Sequence, residues 1–299
     1  MDFVLTLIAD PAKADLGAEH AAAASDALAG CGARCGDIDW LAPGIACDIA
    51  FAAAGPSLAE AAVRERLTAA TVDVAVQPRE GRRKRLLLAD MDSTIVTGET
   101  LDELAAAAGL RERVAAITAR SMAGELDFAQ SLRERVAMLA GLPVAALDQA
   151  LARMALTPGA RTLVQTMKAH GAYTALVSGG FTQFTSVARQ RCGFDEDRAN
   201  RLALANGVLA GRVVEPILDR DAKLTALRGL CAERAIAPEA ACTVGDGAND
   251  IPMLQAAGLG VAFRGKPLVR QAARFRIDHG DLTALLYLQG YRRDDLVGA

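Results

Sequence analysis

Short apolar runs alternate along most of the chain with longer stretches in which apolar residues recur every three or four positions. The short runs are typical of buried strands, and the longer stretches are typical of amphipathic helices. Their alternation predicts an α/β fold with a right-handed, doubly wound parallel sheet. Several of the predicted strands end in acidic, hydroxyl or glycine residues, and the carboxyl ends of parallel strands are where such sheets bind their ligands.

Residues 1–78 follow a different order from the rest of the chain. The pattern predicts two helices, at residues 18–28 and 58–70, and four strands, at residues 3–8, 37–41, 45–51 and 72–76. The order β-α-β-β-α-β predicts a small α+β domain with its helices on one face of an antiparallel sheet. In element order it resembles the ACT and ACT-like domains, many of which bind amino acids. A packing or dimerisation domain without a ligand is the alternative.

The segment that follows reads as a domain boundary. Pro78 and Gly81 interrupt regular structure, and the basic run Arg82-Arg83-Lys84-Arg85 comes directly after them. We interpret residues 79–85 as a solvated linker, with attraction of an anionic substrate as the alternative. A second domain is then expected over residues 86–292.

Residues 99–154 are predicted to form a helical insert. Their apolar residues recur at helical spacing, and Gly109, Gly124 and Gly141-Leu142-Pro143 divide them into about four helices. Such an insert cannot belong to the parallel sheet. We interpret it as a cap over the strand ends, able to exclude water when closed.

After the insert the alternation resumes. Helices are predicted at residues 160–169, 182–191, around Lys223, at 251–257 and at 282–288, with strands that include 173–178, 241–245 and 260–263. Residues 201–205 and 208–214 flank Asn206-Gly207 and predict a β-hairpin.

The first strand of the second domain, residues 86–89, ends in two acids, Asp90 and Asp92. Two carboxylates at one strand end repel each other unless a cation lies beside them, and a hard cation such as magnesium would serve. Because the two acids leave the strand at different points, we expect one to be nucleophile and metal ligand and the other to transfer protons. Capping of the next turn is the alternative.

Two further strand ends carry compatible residues. Ser178, Gly179 and Gly180 follow one strand, and the acid-rich loop 245–250 follows another. Glycines let a backbone approach an anion, and N–H groups at a helix start can hold phosphate oxygens. A metal, a hydroxyl, the Lys223 ammonium and backbone donors around a carboxylate are the parts that phosphoryl transfer needs.

Composition excludes several classes of protein. The net charge of −3 gives no reason to expect nucleic acid as a partner. No run approaches the roughly 18 apolar residues of a membrane span, and the start lacks a signal sequence, so we expect a cytoplasmic location. The six cysteines form no C-x-x-C pair and are expected to be free thiols. With only three histidines, a histidine phosphatase or a zinc enzyme is not favoured.

Four sequence motifs together resemble, in order, those of the haloacid dehalogenase superfamily. They are Asp90-x-Asp92-x-Thr94, Ser178-Gly179, Lys223 and Gly245-Asp246-Gly247-x-Asn249-Asp250. A narrower similarity, to the phosphoserine phosphatases, covers roughly residues 85–290. It rests on the stretch from Asp90 through Glu99 and on residues 124–136, which include Phe128 and Arg135.

The resemblance implies a role for each motif residue. Asp90 would attack phosphorus and form an aspartyl-phosphate, and Asp92 would act as general acid and base. Magnesium would bind Asp90, Asp246 and the backbone carbonyl of Asp92. Asp250, at the edge of the metal site, would orient the metal's waters or Lys223.

The resemblance also implies the substrate contacts. Ser178, the Gly179 amide and Lys223 would hold the phosphoryl oxygens, and Asn249 would bond a phosphate oxygen or the substrate. In the cap, Glu99 would pair with the ammonium of serine phosphate and Arg135 with its carboxylate. Phe128 would seal the apolar side, and Met122 would line the same space.

The expected function is therefore magnesium-dependent hydrolysis of O-phospho-L-serine, the last step of serine biosynthesis. A phosphotransferase acting on another hydroxyl, such as that of homoserine, and an amino-acid sensor are the alternatives. A signalling receiver is disfavoured by Asp92 and by the long cap. The expected partner is a small-molecule substrate, and an ACT-like domain would allow a homodimer.

Overall fold

The computed structural model describes residues 1–122, 125–219 and 221–298. The predicted helix break at Gly124 and the side chain of Met122 lie outside the described part of the chain. Two separate sheets are present, of four and seven strands.

The smaller sheet is antiparallel and belongs to the first domain. Its strands are β1 (Phe3–Ala9), β2 (Arg34–Ala42), β3 (Ala46–Ala52) and β4 (Val72–Pro78), in the order β2-β3-β1-β4. Two helices, α1 (Ala18–Gly30) and α2 (Pro56–Arg66), lie between strands in the predicted order. The second helix ends at Arg66 rather than near residue 70, because the chain must turn there to enter β4.

Both faces of this small sheet are covered. Alternate residues of β4, including Val74 and Val76, share a hydrophobic cluster with α1 and α2. The intervening residue Ala75 belongs instead to the main cluster of the second domain. Successive side chains of a strand point to opposite faces, so the sheet lies between its own helices and the second domain.

The helical insert lies between two chain segments that pair with each other. Its helices are α3 (Thr100–Ala107), α4 (Arg111–Met122), α5 (Phe128–Ala137) and α6 (Ala145–Arg153). Val96 before the insert and Leu156 after it form an isolated antiparallel bridge. Leu104, Val114 and Val136 are buried in the cluster that the cap shares with the main domain.

The larger sheet has the order β11-β10-β9-β5-β6-β7-β8. Its strands are β5 (Leu86–Ala89), β6 (Tyr173–Phe181), β7 (Glu196–Ala205), β8 (Val208–Val214), β9 (Ala241–Gly245), β10 (Leu259–Phe263) and β11 (Phe275–Ile277). All neighbours are parallel except the last pair, β7 and β8. The predicted α/β fold with a parallel sheet is confirmed.

The helices of this domain are α7 (Ala160–Ala169), α8 (Thr182–Cys192), α9 (Ala222–Glu233), α10 (Ile251–Ala256), α11 (Pro267–Ala272) and α12 (Ala284–Leu288). Single 3-10 turns occur at Pro238–Ala240, Ala248–Asp250 and Arg293–Asp295. Within the described ranges, no helix combines the length and apolar character needed to cross a membrane.

Two details of this sheet differ from the prediction. The predicted hairpin consists of β8 and only the second half of β7. The first half of β7, which begins at Glu196, runs parallel to β6. The sequence pattern also missed α11 and β11, because a helix of six residues and a strand of three residues are too short to display a period.

The basic run before β5 is not a solvated linker along its whole length. The Arg82 guanidinium lies 2.6 Å from the Asp48 carboxylate and donates to the carbonyls of Tyr287 and Leu288, at 3.1 Å each. Those carbonyls end α12, where that of Tyr287 also accepts the Gly290 N–H and that of Leu288 also accepts the Gln77 side-chain amide. Arg82 therefore joins the two domains, which its place in a charged run did not indicate.

A second polar link joins the domains at β4. The buried carboxylate of Asp73 accepts hydrogen bonds from the backbone N–H groups of Asp278, His279 and Gly280. These three residues directly follow β11, at the carboxyl edge of the larger sheet. The first domain is thus attached to the edge of the sheet that carries the polar strand ends.

We expect Arg82→Ala to lower the free energy of unfolding by about 3–5 kcal/mol, because it leaves the Asp48 carboxylate without its buried partner. Arg83→Ala is the matched control, since Arg83 forms an exposed pair with Asp295 worth less than about 1 kcal/mol. Urea denaturation of both variants measures the difference. Equal small losses would show that the Arg82 contact does not stabilise the domain junction.

Candidate active site

Strand β5 ends in an irregular turn that separates Asp90 from Asp92. The Asp90 N–H still donates to the Val244 carbonyl of β9, at 3.0 Å, so Asp90 stays fixed to the sheet. The chain then turns over Met91–Ile95, with Ser93 in the left-handed region at φ 55°. Within this turn, Oδ1 of Asp92 accepts the Thr100 N–H at the start of α3, at 2.8 Å. The two carboxylates therefore have different surroundings.

A buried ammonium lies between two buried carboxylates. Nζ of Lys223 is 2.6 Å from Oδ1 of Asp90 and 2.5 Å from Oδ1 of Asp250. Burial disfavours the charged amine, but the two carboxylates outweigh it and raise the pKa of Lys223. Burial also raises the pKa of Asp90, with Lys223 opposing the shift and Asp250 adding to it. Lys223 thus stays protonated, and one positive charge is shared by two acids.

The site has the donor set of a divalent cation site. Asp90, Asp246 and Asp250 are buried, and each can place an oxygen within 4.8 Å of the others. Three acids around one buried ammonium leave excess negative charge, which a hard dication with oxygen ligands would neutralise. Burial raises the pKa of Asp246, and the Lys266 ammonium opposes that shift. The residues present therefore fit a divalent metal.

Two of the predicted metal ligands have distinct positions. Asp250, expected at the edge of the metal site to orient the metal's waters or Lys223, is fully buried; its Oδ1 lies beside Nζ of Lys223 and its Oδ2 accepts the Gly247 N–H. The Asp92 carboxylate is not part of this cluster of acids. Only its backbone carbonyl stays a predicted ligand.

The end of β6 that carries Ser178, Gly179 and Gly180 bulges out of the ladder as a short loop and approaches Asp92. The Ser178 hydroxyl is buried and accepts the Gly180 N–H at 2.9 Å. A Cβ at Gly180 would lie 2.9 Å from Oδ2 of Asp92, so a larger residue would displace that carboxylate. The glycine thereby lets the ends of β5 and β6 come together.

The cap contributes three of the predicted substrate residues. Glu99 precedes α3, is exposed, and accepts a hydrogen bond from the Ser93 hydroxyl at 3.0 Å. The Phe128 ring, from α5, lies so close to Gly179 that a Cβ there would be 3.0 Å from Cζ of the ring. The cap therefore contacts the sheet at the loop that carries Ser178.

Arg135 lies on the same cap helix as Phe128. Its Nε donates to the Ser131 carbonyl one turn earlier, at 3.3 Å. Burial lowers the pKa of this guanidinium, and the negative charges of Asp102, Glu99 and Asp92 oppose that shift. Arg135 is thus a half-buried cation close to these acids.

Asn249 is half-buried in the 3-10 turn that follows Gly247. A Cβ at Gly247 would lie 2.5 Å from Oδ1 of Asn249, so this amide sits close over the loop backbone. Asn249 therefore lies directly before Asp250 of the acid cluster.

Two residues near the site were missed by the sequence analysis. Nζ of Lys266 is 3.4 Å from Oδ2 of Asp246, and its N–H donates to the Asp246 carbonyl. The available signal for Lys266 was its position, as a polar residue just past the end of β10. Asn200 bonds the Gly179 carbonyl from within β7, and an isolated asparagine in a strand carries no comparable signal.

Comparison with known proteins assigns this arrangement to a family. The model of the haloacid dehalogenase-like hydrolases matches residues 87–255, which include β5, the cap and the loop after β9. The chain belongs to this family.

The haloacid dehalogenase-like chain has close curated relatives. It is 43% identical to a phosphoserine phosphatase of Streptomyces coelicolor over 76% of its own length and 56% of that protein's. It is 47% identical to a phosphoserine phosphatase of Albidiferax ferrireducens over 68% of its own length and 89% of that protein's. The chain thus spans only about half the length of some of its curated relatives.

Solved structures resemble the haloacid dehalogenase-like chain over different lengths. A HAD family hydrolase from Salmonella enterica serovar Typhi has a TM-score of 0.84 and 29% identity, covering 96% of this chain and 98% of that one. A substrate-bound phosphoserine phosphatase complex has a TM-score of 0.64 and 40% identity, covering 69% of this chain and 98% of that one. The first of these similarities includes both domains.

We expect millimolar MgCl₂ to raise the melting temperature, because a cation that binds only the folded state stabilises it by about 2.7 kcal/mol at 100 times its Kd. Asp246→Asn should remove most of this rise, since it deletes one of the three acids. The exposed Asp294→Asn is the control and should keep the rise. An undiminished rise in Asp246→Asn, measured by differential scanning fluorimetry, would exclude Asp246 as a ligand.

Proposed function

We propose that this chain is a magnesium-dependent phosphatase that hydrolyses O-phospho-L-serine to L-serine and phosphate, the last step of serine biosynthesis. One observation carries the proposal. The buried cluster of Asp90, Lys223 and Asp250 lies at the carboxyl edge of the sheet, beneath a cap that presents Glu99 and Arg135. The names of the relatives favour hydrolysis over transfer to another alcohol.

Asp90 is the proposed nucleophile. Its Oδ1 pairs with Lys223, which leaves the other carboxylate oxygen for attack on phosphorus. A bond forms between that oxygen and phosphorus, and the bond from phosphorus to the serine oxygen breaks. Fixing the carboxylate to the sheet holds it in position for this attack, which compensates for its weak nucleophilicity.

Asp92 is the proposed proton donor and acceptor. Burial, with a contribution from the Glu99 charge, raises the pKa of Asp92 to about 6. An acid with such a pKa can protonate the departing serine oxygen near neutral pH. The resulting carboxylate then takes a proton from the water that hydrolyses the aspartyl-phosphate, which returns both acids to their starting states.

The remaining residues hold the phosphoryl group. The Ser178 hydroxyl, the Gly179 amide, Lys223 and Asn249 are the proposed donors to its oxygens. Asp90, Asp246, Asp250 and the Asp92 carbonyl would hold Mg²⁺, which when bound neutralises phosphoryl charge.

The cap is proposed to select the substrate. Glu99 would pair with the ammonium of phosphoserine, and Arg135 would bind its carboxylate through two hydrogen bonds. Phe128, which already packs on Gly179, would exclude water from the transferred group.

We also propose an ACT-like domain over residues 1–78, joined through residues 79–85 to a phosphatase domain over residues 86–292. The element order and the antiparallel sheet support this assignment. A cytoplasmic location is proposed from the six free cysteines, which are typical of a reducing compartment. A homodimer stays a prediction.

Phosphate release from L-phosphoserine, phosphothreonine, phosphoethanolamine and an aryl phosphate, with and without Mg²⁺, tests the proposal. We expect strong Mg²⁺-dependent preference for L-phosphoserine and no turnover by a folded Asp90→Asn variant, because an amide cannot attack phosphorus. Release from all substrates alike would remove the substrate assignment. Substantial residual activity of Asp90→Asn would overturn the nucleophile.

Arg135→Ala should reduce kcat/KM for phosphoserine roughly 10- to 100-fold, since a hydrogen-bonded charge partner contributes about 1.5–3 kcal/mol. An aryl phosphate lacks the carboxylate, so its kcat/KM should change little. Arg133→Ala is the matched control on the same helix, because Arg133 pairs with Glu215 in an exposed position. Equal losses on both substrates would remove Arg135 from carboxylate recognition.

A further inference from the structure

The pairing of β6 with β7 is interrupted at residues 178–180, the short loop of β6 that carries Ser178. The register runs from Ala175 opposite Glu196 to Val177 opposite Arg198, and resumes at Phe181 opposite Asn200. Residues 178–180 therefore lie opposite the single residue 199. A strand that bulges in this way leaves its carbonyls and amides outside the regular ladder, so other groups must satisfy them.

The Asn200 side chain fills this gap. It is 2% exposed, and its Nδ2 donates to the Gly179 carbonyl at 2.9 Å. The side-chain amide thus bonds the bulged loop where the backbone of β7 does not.

The same amide also bonds a third segment of the chain. Its Oδ1 accepts the Leu218 N–H at 2.7 Å, and Nδ2 lies 3.4 Å from the Leu218 carbonyl. Leu218 lies shortly before α9, whose second residue is Lys223. One planar group therefore connects the loop of Ser178 to the approach to Lys223.

We propose that Asn200 is a positioning residue that holds the Ser178–Gly179 loop and the entry to the Lys223 helix in one fixed arrangement for binding a phosphoryl group. This inference rests on the proposed function, which defines what the two segments bind. Asn200 itself does not contact the reacting atoms. It acts through the backbone of Gly179 and Leu218.

The chemistry of the side chain explains why an amide is needed. Gly179 presents an acceptor and Leu218 presents a donor, so the connecting group must both donate and accept. An aspartate would keep the bond from the Leu218 N–H but could not donate to Gly179. An alanine would remove the side-chain partner of both backbone groups.

The experiment compares full-length Asn200→Ala and Asn200→Asp with a matched control, Gln183→Ala. The Gln183 amide also donates to β7, at the Leu202 carbonyl, but this bond joins β7 to neither the Ser178–Gly179 loop nor Leu218. Three quantities are measured: kcat/KM for an aryl phosphate, the rise in melting temperature with inorganic phosphate in the presence of Mg²⁺, and the melting temperature alone.

We expect kcat/KM to fall by about 10²-fold in both Asn200 variants, as a displacement of about 1 Å at a reacting site does. The phosphate-induced rise in melting temperature should fall with it, while Gln183→Ala keeps both. A variant that melts earlier but keeps wild-type kcat/KM and phosphate binding would show a purely structural role and overturn the proposal. So would an Asn200→Asp variant with wild-type phosphate binding.

The two proposals fail in different ways. A wild-type chain that binds phosphate but hydrolyses no phosphate ester would contradict the proposed function, and loss of phosphate binding in the Asn200 variants would still support positioning. A wild-type chain that hydrolyses phosphoserine while both Asn200 variants match Gln183→Ala would contradict the positioning role alone.

Discussion

The rest of the site depends on one buried ammonium, that of Lys223, between the carboxylates of Asp90 and Asp250. Burying acids without a positive partner is strongly unfavourable, so this ion-pair cluster is what allows the ends of β5 and β9 to come together at the sheet edge. The cluster is still short of positive charge once Asp246 is included. The uncompensated negative charge makes this ion-pair cluster a candidate site for a divalent cation.

Close approach of the backbone is the second requirement. Gly180 lets the β6 loop reach Asp92, and Gly179 lets the Phe128 ring of the cap lie on that loop. The two connections of the cap pair with each other through Val96 and Leu156, and its segment between α5 and α6 forms a second bridge, from Pro143 to Val208 of β8. The cap is therefore held over the strand ends at two places along its length.

The first domain is joined to the second by hydrogen bonds that a solvated linker alone would not require. Arg82 satisfies the carbonyls that end α12, and Asp73 accepts the N–H groups that follow β11. Because unsatisfied backbone groups are expensive to bury, these bonds make the interface specific for one orientation. The first domain therefore lies against the same sheet edge that carries the acids, although it supplies none of them.

Periodicity and residue type are local properties, so most strands and helices and the polar residues at the strand ends could be predicted from the sequence, whereas the short α11 and β11 could not. Parallel strands then bring Asp90, Ser178 and Asp246 to one edge whatever the details of packing. Only the tertiary structure decided that Asp250 is buried among the acids, that Arg82 leaves its charged run to cap a helix, and that Asn200 bonds a loop. Those positions depend on partners far away in the chain, which neither composition nor spacing can identify.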